Sequence, residues 1–460
     1  MKALYAIAVQ TVRSSLRSRV FHVLFVLVML AVLVLPVTVT GDGTALGQVQ
    51  IAITYSLGVV TVLISVATLW LGCAQLPREI EAYQMHLVLT KPAPRWLVYA
   101  GKWLGIFLMH AFLFLVAAAI VYALVMLRLK RGDFTEREMD RLRHEVLVGR
   151  RLFRSEQPPF RKLARQNYQA RLKAGELKEG HNRAQVLQEI ERQIRASSTE
   201  IPPGMVRSWT FENIDVADTE DARVYCRYRV YVGSTTKTGQ RSTVGLWGIR
   251  DPAREEERYQ PLLQRVPGGS FHEFAFPARF VSEDGTVKLT YQNRDPENES
   301  VIFQIADGPL LLVKAAGFLN NYVRSVFMVV LQLAFLAALG CTAGAALSSP
   351  VAIFAGMSYL VIGMTVQAAV AAPLEDPVTG RVKYESVLQQ GAHIVAQVTS
   401  YAVVSVEEFN TAGALARGRL IEMRRLAAGV FKLLLFRGLP VAALGMWILT
   451  RRELGTVIRR

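Results

Sequence analysis

Apolar residues in this chain come in long runs near both ends, and charge gathers in the middle. Residues 20–37, 51–73, 103–127, 325–347 and 351–372 form runs that reach or approach the ~17–25 residues a helix needs to cross the hydrocarbon layer. A sixth run, at 433–449, is interrupted by Arg437, whose aliphatic stem lets its charged head reach back to the interface. A lone strand in lipid would leave its amides unpaired, so all six runs are expected to be helices. The basic stretch 1–19 followed by an apolar run has the outline of a secretion signal. That run is too long, however, and no small-x-small cleavage site ends it, so a retained membrane helix is expected.

The polar middle, about residues 128–322, divides in two. Residues 133–195 are charged and helix-prone, with Val186, Leu187, Ile190 and Ile194 forming one apolar stripe. From residue 205 the period changes to two: Val224, Cys226, Tyr228, Val230 and Val232 alternate with Tyr225, Arg227, Arg229 and Tyr231. Val287, Leu289 and Tyr291 repeat the pattern after Glu283-Asp-Gly285. Asp307-Gly-Pro309 marks another turn, and Ile201-Pro-Pro-Gly204 reads as the linker between the two parts. Short strands between such turns predict an antiparallel β-sandwich. The expected fold is an α-helical polytopic membrane protein of six transmembrane helices with an extracytoplasmic α+β insert. Its parts are helices one to three (1–127), a helical region (128–204), the sandwich (205–322), and helices four to six with an interfacial segment (323–460).

Charge supplies the orientation. Lys and Arg number 53 against 37 Asp and Glu, a net charge of +16. Many of the basic residues flank apolar runs, where they set topology and meet anionic head groups, rather than forming a nucleic-acid face. Lys2, Arg13, Arg17 and Arg19, the second loop with Arg78, Lys91, Arg95 and Lys102, and the C-terminal Arg451, Arg452, Arg459 and Arg460 belong in the cytoplasm by this rule. Both termini are then inside and the insert is outside. Residues 373–431 should also lie outside, yet carry Arg417, Arg419, Arg424 and Arg425. The interspersed Ala414, Leu420, Ile421 and Leu426 suggest a helix in the head-group layer. Cys73, Cys226 and Cys341 form no spacing that suggests a disulfide frame or a metal site.

The loop between the second and third runs holds the candidate chemistry. Residues 78–89 can form a helix with Arg78, Glu79 and Glu81 in water. Pro92 and Pro94 then stop it, and Pro94 can open the next helix. Such an elbow could pass force from a docked partner to the third run, or be a plain loop whose charges set topology. Arg78-Glu-Ile-Glu81, then Leu87-Val-Leu-Thr-Lys-Pro-Ala-Pro-Arg95, then Gly101-Lys-Trp-Leu-Gly105, resembles the corresponding loop of ABC-2-type transporter permeases, in the branch grouped with multicopper-enzyme maturation. Gly445-Met-Trp-Ile-Leu-Thr-Arg-Arg-Glu-Leu-Gly455 resembles the family's closing motif, and residues 403–418 resemble the segment before its last span. The resemblance covers residues 1–127 and 318–460; the long insert departs from the family's short loop there.

The resemblance implies an inner-membrane transport subunit, not an enzyme, that pairs with a second permease copy or paralogue. It would dock a separate ABC ATPase, which carries the ATP and Mg, so that no cofactor is bound by this chain. Carried over by position, Arg78, Glu79 and Glu81 lie on the coupling helix, and Lys91, Pro92, Arg95, Gly101 and Lys102 form the elbow. Independently, the chain has no G-x-x-x-x-G-K-[ST] phosphate loop, so a pump built on it must borrow ATP hydrolysis.

Among polar groups in the runs, His110, Gln332 and Gln367 are candidate pathway residues, with interhelical hydrogen bonding as the plainer role. Gly340-x-x-x-Gly344 permits close helix packing. No catalytic signature is present, and His272-Glu273 reads as an exposed edge pair. Trp209, Trp247 and Tyr291 suit either a core or a face for stacking a ligand. Two further functions stay open: lipid extraction of the lipopolysaccharide-transport type, and a sensor or scaffold that moves nothing. Membrane lipids and an envelope partner of the insert complete the expected partners.

Overall fold

A computed structural model of the chain describes residues 2–38, 44–85, 94–131, 134–177, 182–216, 222–232, 241–252, 259–305, 307–372, 387–404 and 411–452. It opens with α1 (Lys2–Leu16), α2 (Arg19–Leu33), the short α3 (Leu35–Thr38), α4 (Ala45–Glu81), α5 (Arg95–Arg131) and α6 (Glu136–Glu145). Next come β1 (Val148–Arg154), α7 (Phe160–Lys173), α8 (Arg183–Thr199) and β2 (Glu200–Ile201). The strands continue with β3 (Val206–Phe211), β4 (Arg223–Arg229), β5 (Tyr231–Val232), β6 (Ser242–Arg250), β7 (Tyr259–Pro267), β8 (Phe271–Pro277), β9 (Val287–Asn293), β10 (Val301–Ile302) and β11 (Leu310–Gly317). The chain ends through α9 (Phe318–Ala346), α10 (Ser349–Ala371), α11 (Val387–Ala402), α12 (Ala412–Ala416), α13 (Met423–Gly429), a π-helical stretch Val430–Gly438 and α14 (Leu439–Arg451). Two units result: Met1–Gly149 with Ala316–Ala371 and His393–Arg460, and Arg150–Ala315 with Ala372–Ala392.

Among the described residues of the first unit, five helices are long and apolar enough to cross a membrane: α4, α5, α9, Ser349–Val370 within α10, and Met423–Arg451. A sixth exists only if α1 and α2, bent by 71°, count as one broken span. The bend has a local cause. Arg17 and Arg19 interrupt the apolar pattern, and Ser18 starts a new helix by accepting the Phe21 amide at 3.2 Å. The run at 20–37 is divided between α2, of 15 residues, and the short α3 that starts at Leu35.

The 37 residues of α4 rise about 55 Å, well beyond the ~30 Å hydrocarbon thickness. Residues 78–81, expected to open a separate helix over 78–89, are the last turn of α4, which continues through Pro77; residues 86–89 of that expected helix lie outside the described residues. Proline costs one hydrogen bond in a helix, a loss that neighbouring helices can absorb in a bundle. The carbonyl it leaves without a helical donor is that of Cys73. A Cβ placed on Gly344 of α9 would come within 3.0 Å of that oxygen and of the Gly72 carbonyl. Gly72 and Gly340 meet the same way, backbone to backbone, with a Cβ on either at 2.9 Å from the other's Cα. The Gly340-Gly344 pair is thus a seam against α4.

Residues 411–421 are clamped to α9 rather than forming one continuous surface helix. The Asn321 amide donates to the Arg419 carbonyl and accepts from the Ile421 amide, both at 2.8 Å, and the Ser325 and Thr411 hydroxyls meet at 2.6 Å. Leu415 and Ile421 are fully buried, while Arg417, Arg424 and Arg425 stay exposed.

In the second unit the strands form three sheets, in the orders β1-β11-β4-β8, β2-β10-β5 and β3-β9-β6-β7. The pairs β4–β8, β4–β11, β3–β9, β6–β7, β6–β9, β2–β10 and β5–β10 are antiparallel. Alternation decides which side is inside: Val224, Cys226 and Tyr228 of β4 share one buried cluster with Val287, Leu289 and Tyr291 of β9. Trp247 is at its centre, its ring centroid 4.8 Å from Tyr228, 5.0 Å from Tyr291 and 5.2 Å from Phe274. A Cβ on Gly245 would overlap the Tyr291 ring, so only glycine fits there. The Ile190 stripe of α8 packs separately on Ala164 and Tyr168 of α7. Strand β1, unforeseen within the charged helix-prone stretch, brings in Arg150, which is buried and paired with Glu273. That pair and the bond from His272 to the Pro267 carbonyl show that neither residue of the His272-Glu273 dipeptide is a free edge group.

Candidate functional site

The loop residues singled out in the sequence converge, in part, at one end of the helical unit. α4 delivers Glu79 in its final turn, and α5 delivers Lys102 two turns from its start. The Lys102 ammonium donates to Glu79 Oε1 at 2.5 Å, with side chains only 4% and 17% exposed. A lysine this buried needs a carboxylate beside it, because desolvating an unpaired charge costs several kcal/mol, on the order of the pair's whole attraction. The contact fixes the end of α4 to α5 at a definite register, which a string of surface charges would not do.

Around this pair, side chains grip backbone carbonyls at helix ends. Arg95, at the start of α5, donates to the carbonyls of Thr450 at 3.1 Å and Arg452 at 2.8 Å, at the end of α14. Arg452 in turn donates to the Ala345 carbonyl at 2.8 Å, at the end of α9. Cations placed on terminal carbonyls satisfy acceptors that the helices leave unpaired, and they complement the negative helix end. One turn deeper, the Tyr99 hydroxyl donates to Ala338 O at 2.9 Å and lies 2.8 Å from Thr342 Oγ1, which itself reaches Val441 O at 2.9 Å. Trp103 donates to Ala334 O at 2.9 Å. Helices α4, α5, α9 and α14 are therefore tied at a single end by a chain of polar contacts.

The sequence candidate Gly101 works by being small, and so does Gly105 one turn further on. A Cβ on Gly101 would press into Ile7 at 2.7 Å, and one on Gly105 into Thr11 at 2.7 Å, so α1 lies directly on α5. Arg78 and Glu81 are exposed on the last turn of α4, beside Tyr83 at φ 57°. Lys91 and Pro92 lie outside the described residues.

The candidate pathway residues do not gather. His110 is buried and bonded to the Ile106 carbonyl of its own helix at 3.0 Å. Gln332 donates to Ser65 Oγ at 3.2 Å, joining α9 to α4, while its Oε1 has no partner among the described residues. Gln367 is half-buried on α10. Sequence reasoning missed Tyr99, Thr342 and Arg452 as parts of the site, and Gly72 and Gly105 as contact points. Arg452 was visible only as topological charge, and the others carry no chemical signal.

Comparison of the chain with protein-family models, curated proteins and solved structures gives no match.

Proposed function

We propose that this chain is the membrane-spanning permease subunit of an ABC-2-type transporter, moving a substrate across a bacterial inner membrane on ATP hydrolysed by a separate subunit. The observation that carries the proposal is the buried Glu79–Lys102 pair, which couples the exposed Arg78 and Glu81 to the bundle. A push on that last turn of α4 is transmitted through the ion pair to α5, and through Arg95 and Tyr99 to α14 and α9. In this reading α1 and α2 together supply the first of six crossings, both termini and the tied end face the cytoplasm, and the insert is an extracytoplasmic β-sandwich with a helical arm. The chain works as a dimer with a copy of itself or a paralogue.

The test is copurification of the full-length chain from its native membranes. A chain bearing a phosphate loop is expected in stoichiometric amount, and Lys102→Met should lower ATP turnover of the complex. Recovery of the chain with no ATP-hydrolysing partner would sink the proposal.

One observation favours lipid as the cargo. A cavity of about 340 Å³ between α2, α4 and α5 is walled by Val32, Leu33, Ala52, Val121 and Val125, with Arg128 and Arg131 at one end. An apolar slot with a cationic mouth matches an acyl chain below an anionic head group. A photoactivatable phospholipid should label this slot, and Ala52→Trp should abolish the labelling. Equal labelling of the Trp variant would remove lipid from consideration.

A further inference from the structure

Strand β3 is an edge strand of its sheet, and its alternate residues Arg207, Trp209 and Phe211 point to one face. Phe211 is fully buried, whereas Arg207 and Trp209 line a cavity of about 370 Å³ lying wholly within the second unit. This volume falls in the ~300–1,000 Å³ range of small-molecule sites. Trp209 packs its ring against Phe303, with centroids 5.2 Å apart, and both rings wall the cavity. Gln157 and Gln304 add neutral donors and acceptors, and Arg154 adds a second guanidinium.

Arg207 is the unexplained group. Its Nη2 donates to the Ser197 carbonyl at 2.9 Å, but its Nη1 is buried with no hydrogen-bond partner among the described residues. Partial burial lowers its pKa from the ordinary arginine value. Arg207 as a whole is half-buried, and a guanidinium drawn partly out of water gains from an anion beside it. Glu156 also lines the cavity. Two guanidinium groups against one carboxylate leave a single positive charge, which suits a monoanion better than a phosphate dianion.

We propose that this cavity binds a carboxylate-bearing sugar of the hexuronic acid class. The flat apolar face of the ring stacks on Trp209, the carboxylate pairs with the Arg154 and Arg207 guanidinium groups that line the cavity, and the hydroxyls exchange hydrogen bonds with Gln157 and Gln304. An aromatic acid would use the stacking wall but leave the amides unmatched, and a neutral sugar would leave Arg207 unpaired. Binding here requires neither ATP nor a partner chain, so it stands apart from the transporter reading.

The test is calorimetric titration of the full-length chain in detergent with D-glucuronate, D-glucose and D-glucose 6-phosphate. Glucuronate is expected to bind at least about tenfold more tightly than either of the others, since a hydrogen bond to a charged group is lost or mismatched in each. Arg207→Gln should erase that preference, and Gln157→Trp, a change at an exposed position that fills the cavity, should erase all binding while leaving the melting temperature in place. The Gln157→Trp variant keeps the test decisive if Arg207→Gln fails to fold. Absence of saturable glucuronate binding, equal affinity for glucose, or unchanged binding in Gln157→Trp would each overturn the proposal.

Discussion

The two units hold themselves together by opposite means. The helical unit relies on the absence of side chains: Gly72 on Gly340, Gly344 on the Cys73 carbonyl, Gly101 on Ile7 and Gly105 on Thr11. Its specific bonds are mostly side chain to backbone carbonyl, as with Arg95, Tyr99, Trp103 and Arg452. The insert relies on bulk, with Trp247, Tyr228, Tyr291, Phe274 and Phe303 in mutual contact. The contrast follows from the surroundings. In water a large buried ring gains from desolvation, but in lipid the surroundings are as apolar as the side chain, so close backbone approach and polar contacts decide the packing.

The comparison can be broken from either side. The largest effect is expected from Trp247→Ala, which empties the centre of the insert and should cost about 3–5 kcal/mol, read as early unfolding by limited proteolysis with the helical content intact. Simultaneous loss of the helices would mean that the units do not melt separately. Nearly as large is Lys102→Met, which strands the Glu79 carboxylate and should cost about 3–5 kcal/mol. Adding Glu79→Gln should restore much of that stability in a double-mutant cycle. Additive losses would mean that the pair is not coupled.

Gly340→Leu should cost about 1–3 kcal/mol by forcing α9 away from Leu69, Gly72 and Cys73, whereas the same change at the open Gly413 of α12 should cost far less. Tyr99→Phe removes two polar contacts and should cost about 0.6 kcal/mol, up to about 1.7, as for other hydrogen bonds between membrane helices.

The smallest effect is electrostatic and confined to the insert. The Ser282 hydroxyl bonds the Asp284 carboxylate and holds its pKa below the ordinary aspartate value. A lowered folded-state pKa stabilises fully above the unfolded value, and the contribution disappears as pH falls through the folded one. Amide exchange at Gly285, in this turn, should therefore quicken only below the ordinary carboxylate range in the native protein, and Ser282→Ala should move that onset to higher pH.

Much of this architecture is legible in the chain because it rests on period and run length. The apolar runs locate the long helices, and alternation at Val224–Val230 and Val287–Tyr291 marks which side of each strand is buried. Glu79, Lys102 and Arg95 stand out as charges beside apolar runs, but their partners do not. A carbonyl acceptor looks the same at every position, so nothing in the residue types ties Arg95 to Thr450 or Tyr99 to Ala338. The reach of α4 is hidden for a related reason: Pro77 lies inside it, beside the seam with Gly344, and the helix still runs on to Glu81. The bend between α1 and α2 sits at the charged Arg17-Ser-Arg19 just before the first apolar run, where it reads only as a topological signal, and β1 hides among charges because Arg150 is neutralised by a strand over a hundred residues away.

The central claim, that a separate ATPase acts on the last turn of α4, is tested most directly by placing a photocrosslinking amino acid at the exposed Arg78 and, separately, Glu81 in native membranes. The account predicts that both positions yield one protein adduct carrying a nucleotide-binding phosphate loop, and that Glu79→Lys, which breaks the pair below them, abolishes it. Adducts with lipid alone, or with proteins that bind no nucleotide, would contradict it.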